Sequence, residues 1–229
     1  GGQFDRVPDL MRTFEEHRVE GLIYVADYHR KVALPDVAAS TKLVLANCYD
    51  DRGTPSVLPN DKQGQKLLVR DLISKGHERI AYLSLSQSLD ATRLRTQGYC
   101  EALSEAGIAF DPDLIISADI DAPNSETETQ LLWDALDRVL NLSEKPTVIC
   151  FGNDRMAMRA YGILRSLGLA LPDDISIAGY DNYRLITESL YPTLTSVELP
   201  YAAMGVRATH HLLGLIDGTA ATLSAPILV

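Results

Sequence analysis

The chain contains 229 residues, of which 46% are hydrophobic, so it can bury the core of one large domain or of two ordinary ones. Its formal net charge of −10 argues against a segment that grips the phosphate backbone of nucleic acid by itself. No apolar run reaches the roughly 18 residues of a membrane-spanning helix, and Cys48, Cys100 and Cys150 are too widely spaced for a disulfide framework or a zinc site. We therefore expect a cytoplasmic protein without a metal site or a cofactor.

Short apolar runs typical of buried strands alternate with amphipathic helices along the chain, which predicts an α/β fold with parallel sheets and helices on both faces. In the first half we predict, in order, a helix at about 7–17, strands at 22–26 and 43–46, a helix at 62–75 and a strand at 80–85. This half opens on a helix, although a doubly wound half normally begins with a strand. We therefore expect a strand and a helix to precede the printed sequence.

The second half continues the alternation and ends on a short apolar run. We predict helices at about 92–106, 126–142, 153–167 and 201–215, strands at 114–117, 147–151, 175–180 and 194–199, and a terminal apolar run at 226–229.

Polar residues follow two successive strands of this half. Asn153 and Asp154 come after the run 147–151, and Asp181 and Asn182 come after the run 175–180. A strand, a helix and a second strand form a parallel crossover unit. Because ligands of open α/β sheets lie outside the carboxyl ends of the strands, these residues predict a binding cleft.

Five segments resemble the lactose/galactose-repressor family of bacterial transcription regulators, in the family's order and spacing. They are GHERIAYLS at 76–84, RLRTQGY at 93–99, GNDRMA at 152–157, LPDDISIAGYDN at 171–182 and YPTLTSVELPYAAMG at 191–205. The resemblance covers essentially the whole chain, aligned with the family's effector-binding core.

The resemblance implies two doubly wound parallel-sheet lobes of the periplasmic-binding-protein type, with a small effector in the cleft between them. It implies residues 1–86 and 193–217 for the N-terminal lobe, and residues 87–192 and 218–229 for the C-terminal lobe. It also implies a homodimer and an upstream helix-turn-helix headpiece that contacts operator DNA.

The resemblance also implies which residues bind the effector. Arg95, Asn153 and Asp181 match family positions that contact the ligand, and Asp61 and Gln63 lie in a segment that lends a weaker polar contact. A carboxylate, a guanidinium and an amide together suit a ligand with many hydroxyl groups, such as a sugar or a sugar derivative. Family members often offer an aromatic side chain where this chain reads ADIDAP at 118–123, and that departure disfavours a simple hexose.

Structural roles for the same residues stay open from the sequence. Asn153 and Asp154 are types that cap helices, Asp181 could be a turn residue with Asn182, and Arg95 could be a solvated charge on its helix.

Two other classes of protein compete with the regulator. An enzyme is disfavoured because the chain has no GxSxG elbow, no phosphate-cradling glycine loop and no HExxH motif. A periplasmic sugar-binding receptor of a transport system shares the architecture, and an upstream secretory leader would distinguish it from a regulator. We favour the regulator because the segments at 171–182 and 191–200 resemble regulators more closely.

Overall fold

The computed structural model describes residues 6–119, 125–220 and 225–229. The remaining positions, which include part of the ADIDAP segment, lie outside the described residues. The chain separates into two compact units. The first unit comprises Gly1–Asn60 and Pro200–Val229, and the second unit comprises Asp61–Leu199.

The first unit contains a four-stranded parallel sheet in the order β1-β2-β3-β9. Its elements are α1 (Val7–Glu16), β1 (Gly21–Lys31), β2 (Lys42–Tyr49), β3 (Ser56–Leu58), α7 (Tyr201–Ile216) and β9 (Ile227–Leu228). Helix α7 packs against β1, β2 and β3. The buried core includes Leu43 and Leu45 of β2, together with Ala26 of β1 and Val32, which directly follows β1. Helix α7 therefore covers part of this sheet, and apolar side chains of β1 and β2 form a buried core.

The second unit contains a five-stranded parallel sheet in the order β5-β4-β6-β7-β8. Its strands are β4 (Ile80–Ser84), β5 (Ile115–Ser117), β6 (Val148–Phe151), β7 (Ser176–Asp181) and β8 (Thr195–Glu198). Its helices are α2 (Asp61–Ser74), α3 (Asp90–Glu105), α4 (Ser125–Leu140), α5 (Asp154–Ser166) and α6 (Arg184–Thr187), with a 3-10 helix at Pro112–Leu114. All four residues of β6 are buried, as expected for a central parallel strand covered on both faces. The predicted α/β class with two parallel sheets is confirmed.

The division into units differs from the predicted lobes. The sequence assigned residues 61–86 and 193–199 to the first lobe and residues 218–229 to the second, whereas the structure groups them the other way. Pairing between strands is the reason. β4 lies between β5 and β6, β8 pairs with β7, and β9 pairs with β3.

Helices α2 and α3 approach closely at Gly98, which gives a prediction. A Cβ atom at Gly98 would lie 2.1 Å from the backbone oxygen of Lys62, and backbone cannot move aside as a flexible side chain can. We expect Gly98→Ala to lower the free energy of unfolding by about 2–3 kcal/mol, the range of a strained core substitution. Urea unfolding followed by circular dichroism measures this change.

The matched control is Gly162→Ala in helix α5. A Cβ atom there meets nothing within 4 Å, so the substitution should raise the free energy of unfolding by about 0.5–1 kcal/mol. Equal stabilities for the two variants would show that the helices do not need a glycine at their contact.

No helix in the described ranges is both long and apolar enough to cross a membrane.

Candidate functional site

Asn153 lies at the carboxyl end of β6, immediately before helix α5. Its side-chain Oδ1 accepts a hydrogen bond from the backbone N–H of Met156 at 2.8 Å, and its backbone is extended. This is the geometry of an N-cap residue, so the capping role is confirmed. Capping uses only the oxygen of the amide, and therefore the same side chain can still offer Nδ2–H groups to a ligand.

The two roles of Asn153 can be separated by substitution. We expect Asn153→Ala to lower the free energy of unfolding by about 1 kcal/mol because the first turn of α5 loses its cap. Asn153→Ser should retain the stability of the wild type, since a serine hydroxyl also caps a helix. Thermal and urea unfolding test this, and an alanine variant as stable as the serine variant would contradict it.

Asp154 follows Asn153 and is completely buried. Its carboxylate accepts a hydrogen bond from the Ser196 hydroxyl at 2.6 Å and from the Tyr183 N–H at 2.7 Å. Burial raises its pKa, although these hydrogen bonds oppose the shift. A Cβ atom at Gly179 would lie 2.1 Å from the same carboxylate, so only glycine fits there. Asp154 therefore joins the start of β8 and the segment after β7 to the first turn of α5, a role that the sequence did not predict.

Asp181 is the last residue of strand β7 and has an unusual backbone conformation. Its backbone φ is +115°, a conformation that non-glycine residues rarely adopt, and strain of this kind is concentrated at functional sites. Within the part of the chain that the structure describes, no group donates a hydrogen bond to its carboxylate. Burial raises the pKa of Asp181 to about 7, with Arg95 opposing and Asp154 and Asp61 reinforcing the shift. Asp181 thus combines a strained backbone with a carboxylate that accepts no hydrogen bond from the described residues.

Arg95 projects from α3 into a buried network. Its Nε donates to the carboxylate of Asp61 at 2.7 Å, and its Nη1 donates to the backbone oxygen of Gly152 at 2.6 Å. The Tyr180 ring lies against the guanidinium, with Cζ 3.5 Å from the ring centroid. Arg95 is only 3% exposed, so the alternative of a solvated surface charge is wrong. Burial opposes its charge, but Asp61 and the nearby tyrosines outweigh burial and raise its pKa.

The segment at the start of α2 contributes one of its two predicted residues to this network. Asp61 is completely buried and pairs with Arg95, whereas Gln63 is exposed. Gln65, one turn after Asp61 on the same helix, is completely buried, and neither its Nε2 nor its Oε1 has a hydrogen-bond partner among the described residues. The spacing of four residues from Asp61 is the signal that could have identified Gln65.

The first unit also places a buried amide near the end of a strand, which sequence reasoning missed. Asn47 in β2 has φ +57°, and its Nδ2 donates to the Ala26 carbonyl oxygen at 3.0 Å. Its Oδ1 is buried and accepts no hydrogen bond from the part of the chain that the structure describes. A polar residue just after the apolar run 43–46 was the available signal.

The arrangement in the second unit suits recognition of hydroxyl groups. It brings Arg95, Asn153, Asp181 and Asp61 to the same edge of one sheet, through α3, β6, β7 and α2. A carboxylate accepts ligand O–H groups and an amide donates to ligand oxygens. Across the described ranges, no group of three His, Cys, Asp or Glu side chains could hold a metal ion.

Comparison with known proteins gives the family of the chain. The family model of a periplasmic binding protein-like domain matches residues 69–228. A crystal structure described as a LacI-family transcriptional regulator from Rhizobium etli is 31% identical in sequence and superposes with a TM-score of 0.83. The match covers 100% of this chain and 81% of that chain. The chain belongs to the LacI family of transcription regulators.

Curated LacI-family repressors extend this assignment. The HTH-type transcriptional repressor PurR of Vibrio atlanticus is 32% identical over 216 residues, which are 93% of this chain and 62% of the relative. The sucrose operon repressor of Shigella flexneri is 32% identical over 225 residues, covering 95% of this chain and 66% of the relative. The chain therefore spans slightly less than two thirds of these repressors. The predicted resemblance to the lactose/galactose-repressor family is confirmed.

Proposed function

We propose that this chain is the effector-sensing part of a LacI-family transcription regulator, and that it binds a small polar ligand, a sugar or a sugar derivative. The ligand would bind at the carboxyl ends of β6 and β7. The observation that carries the proposal is Asp181, whose backbone has φ +115° and whose partly buried carboxylate has no hydrogen-bond donor in the described structure. A group in this state gains most from hydrogen bonds that a ligand supplies.

Ligand hydroxyls complete the hydrogen bonding of this edge. Two hydroxyl groups can donate to the two oxygens of Asp181, and the free amide hydrogens of Asn153 can donate to a ring or hydroxyl oxygen. The Arg95–Asp61 pair holds the Tyr180 ring, which directly precedes Asp181. We therefore assign binding to Asp181 and Asn153, and assign the positioning of the strand end to Arg95 and Asp61. Gln63, which is exposed, is a peripheral candidate.

The ligand acts on DNA binding through its preference for one conformation. An effector can shift a conformational equilibrium only by its difference in affinity for the two states. The coupling is reciprocal, so operator DNA must change effector affinity by the same factor. We propose that DNA is contacted by a helix-turn-helix headpiece upstream, that the protein acts as a homodimer in the cytoplasm, and that it catalyses no reaction. The names of two relatives, an HTH-type transcriptional repressor and an operon repressor, support the DNA-binding part of this proposal.

A thermal-shift screen tests the proposed function. The panel contains sugars, sugar phosphates, polyols and nucleosides, and isothermal titration calorimetry follows for any compound that raises the melting temperature. A ligand present at 100 times its Kd adds about 2.7 kcal/mol to the stability of the folded state, which is a shift of several degrees. A panel in which no compound changes the melting temperature would count against the proposal.

A further inference from the structure

The positive charges near Asp181 are already paired. Two arginines lower the pKa of Asp181, namely Arg95 and Arg155. Arg95 is bound to the Asp61 carboxylate at 2.7 Å. Arg155 is exposed and lies 3.5 Å from the Glu128 carboxylate. Both arginines therefore have a carboxylate partner, but Glu128 is shared, because Arg159 Nη1 lies 2.6 Å from the same carboxylate.

Two carboxylates at the same edge, those of Asp154 and Asp181, form no ion pair with a described residue. Asp154 accepts hydrogen bonds from a hydroxyl and a backbone N–H, both of which are neutral. Asp181 accepts none from the described residues, and the described ion pairs include neither of these two carboxylates. Asp154 and Asp61 both disfavour the ionised form of Asp181 through their charge. The edge consequently carries four carboxylates, namely Asp61, Glu128, Asp154 and Asp181, against three arginines, namely Arg95, Arg155 and Arg159.

Asp61 makes the carboxylates outnumber the arginines at this edge, because it pairs with Arg95. The guanidinium of Arg95 donates to the carbonyl oxygen of Gly152, the residue directly before Asn153, so its charge lies at the end of β6. An unpaired arginine at that point would attract carboxylates and phosphates, which its planar donors fit. Asp61 occupies Nε and neutralises the charge inside a buried environment, where charges interact strongly.

We infer that this site takes neutral or amine-bearing polyols and rejects anionic ones, and that Asp61 is the specificity-determining residue because it cancels the charge of Arg95. The inference rests on the proposed function and narrows its ligand class to compounds without a carboxylate or phosphate group. Asp61 acts through Arg95 and is a positioning residue, with no contact to the ligand required.

Matched ligand pairs that differ in charge test the inference on the wild-type protein. Suitable pairs are sucrose with sucrose 6-phosphate, galactose with galacturonate, and adenosine with adenosine monophosphate, with galactosamine as an amine. We expect binding, measured by thermal shift and calorimetry, to be confined to neutral or amine-bearing members. Tighter binding of a charged acid than of its neutral partner would overturn the inference while leaving the proposed function intact. Absence of binding by every compound would remove the proposed function and the inference with it.

The variant Asp61→Asn tests the role of Asp61 directly. The amide oxygen can still accept from Arg95 Nε, but the negative charge is gone, so the affinity ratio of neutral to anionic partner should fall about ten-fold. Asp71→Asn is the matched control, since Asp71 lies on the same helix in an exposed pair with Lys75, and its ratio should match the wild type. If Asp61→Asn does not fold, Asp61→Ser, which keeps a hydroxyl acceptor, is used.

The ratio of the affinities for the neutral and the anionic ligand distinguishes a role of Asp61 in ligand specificity from a role in stability alone. A purely structural role for Asp61 would weaken the binding of both partners equally and leave their ratio unchanged. An unchanged ratio in the folded variant would therefore overturn the inference.

Discussion

Replacing Arg95 with methionine should lower the free energy of unfolding by about 3–5 kcal/mol, the cost of leaving one member of a buried ion pair alone. The variant leaves the Asp61 carboxylate completely buried without its cation and leaves the Gly152 carbonyl without its donor. Methionine keeps the approximate length of the side chain, so most of the loss comes from charge and hydrogen bonding. Urea unfolding at neutral pH measures it.

A second substitution shows whether the unpaired charge is the cause. In Asp61→Asn/Arg95→Met the buried carboxylate is absent, so the double variant should be more stable than Arg95→Met alone, and the two sites should be strongly coupled. The control is Arg138→Met, which breaks an ion pair with Asp113 whose side chains are 57% and 63% exposed. Exposed pairs contribute about 0–1 kcal/mol. A loss for Arg95→Met as small as for Arg138→Met would contradict the buried network.

Replacing Asp181 with asparagine should abolish effector binding and, at pH 8, make the protein more stable. The pKa of Asp181 is about 7 in the folded protein against 3.8 for the unperturbed group. Between these values the folded state binds a proton that the unfolded state has lost, so stability falls as the pH rises from about 4 to about 7. The full penalty is present above pH 7. The difference between these two pKa values corresponds to a loss of stability of at most about 4 kcal/mol.

Asparagine removes this penalty and also tolerates the positive φ better than most residues. We therefore expect Asp181→Asn to exceed the wild type by about 1–3 kcal/mol at pH 8, with the difference shrinking towards pH 4. Unfolding curves across this pH range measure the effect. Asp173→Asn, in an exposed turn, is the control, and its stability at pH 8 should stay within about 0.5 kcal/mol of the wild type. A gain that does not vary with pH would show that charge is not its source.

Effector binding should depend on pH in the opposite direction. Ligand hydroxyls donate to the ionised carboxylate, so the affinity should fall about ten-fold for each pH unit below the pKa of about 7. Calorimetry between pH 5.5 and 8 with a neutral ligand would measure the slope. Affinity that is independent of pH would argue that Asp181 does not accept hydrogen bonds from the ligand.

The sequence predicts the LacI family because five segments resemble it in the same order and spacing. It predicts the strand-to-helix turns from the pattern of neighbouring residues. The run 147–151 ends in Gly-Asn-Asp, and the structure confirms strand β6 followed by a helix capped by Asn153. Such features depend on residues a few positions apart, so periodicity and capping chemistry suffice to predict them.

The partition into units required the tertiary structure. The apolar run at 80–84 predicts a strand from its own residues. Its place in the second unit follows only from its pairing with β5 and β6. Pairing joins segments far apart in the chain, and an apolar strand carries no local signal for its neighbour.

The chain by itself determined the α/β class, the order of most helices and strands, and which polar residues end β6 and β7, because these depend on neighbouring positions. The short elements β3 (Ser56–Leu58) and α6 (Arg184–Thr187) were not predicted. Only the tertiary structure decided that Arg95 is paired with Asp61 rather than open to solvent, and that Asp181 is left with unused acceptors. Both outcomes are electrostatic. The charge available at a site is the sum over side chains from different elements, here α2, α3, α5 and β7, and no single segment contains that sum.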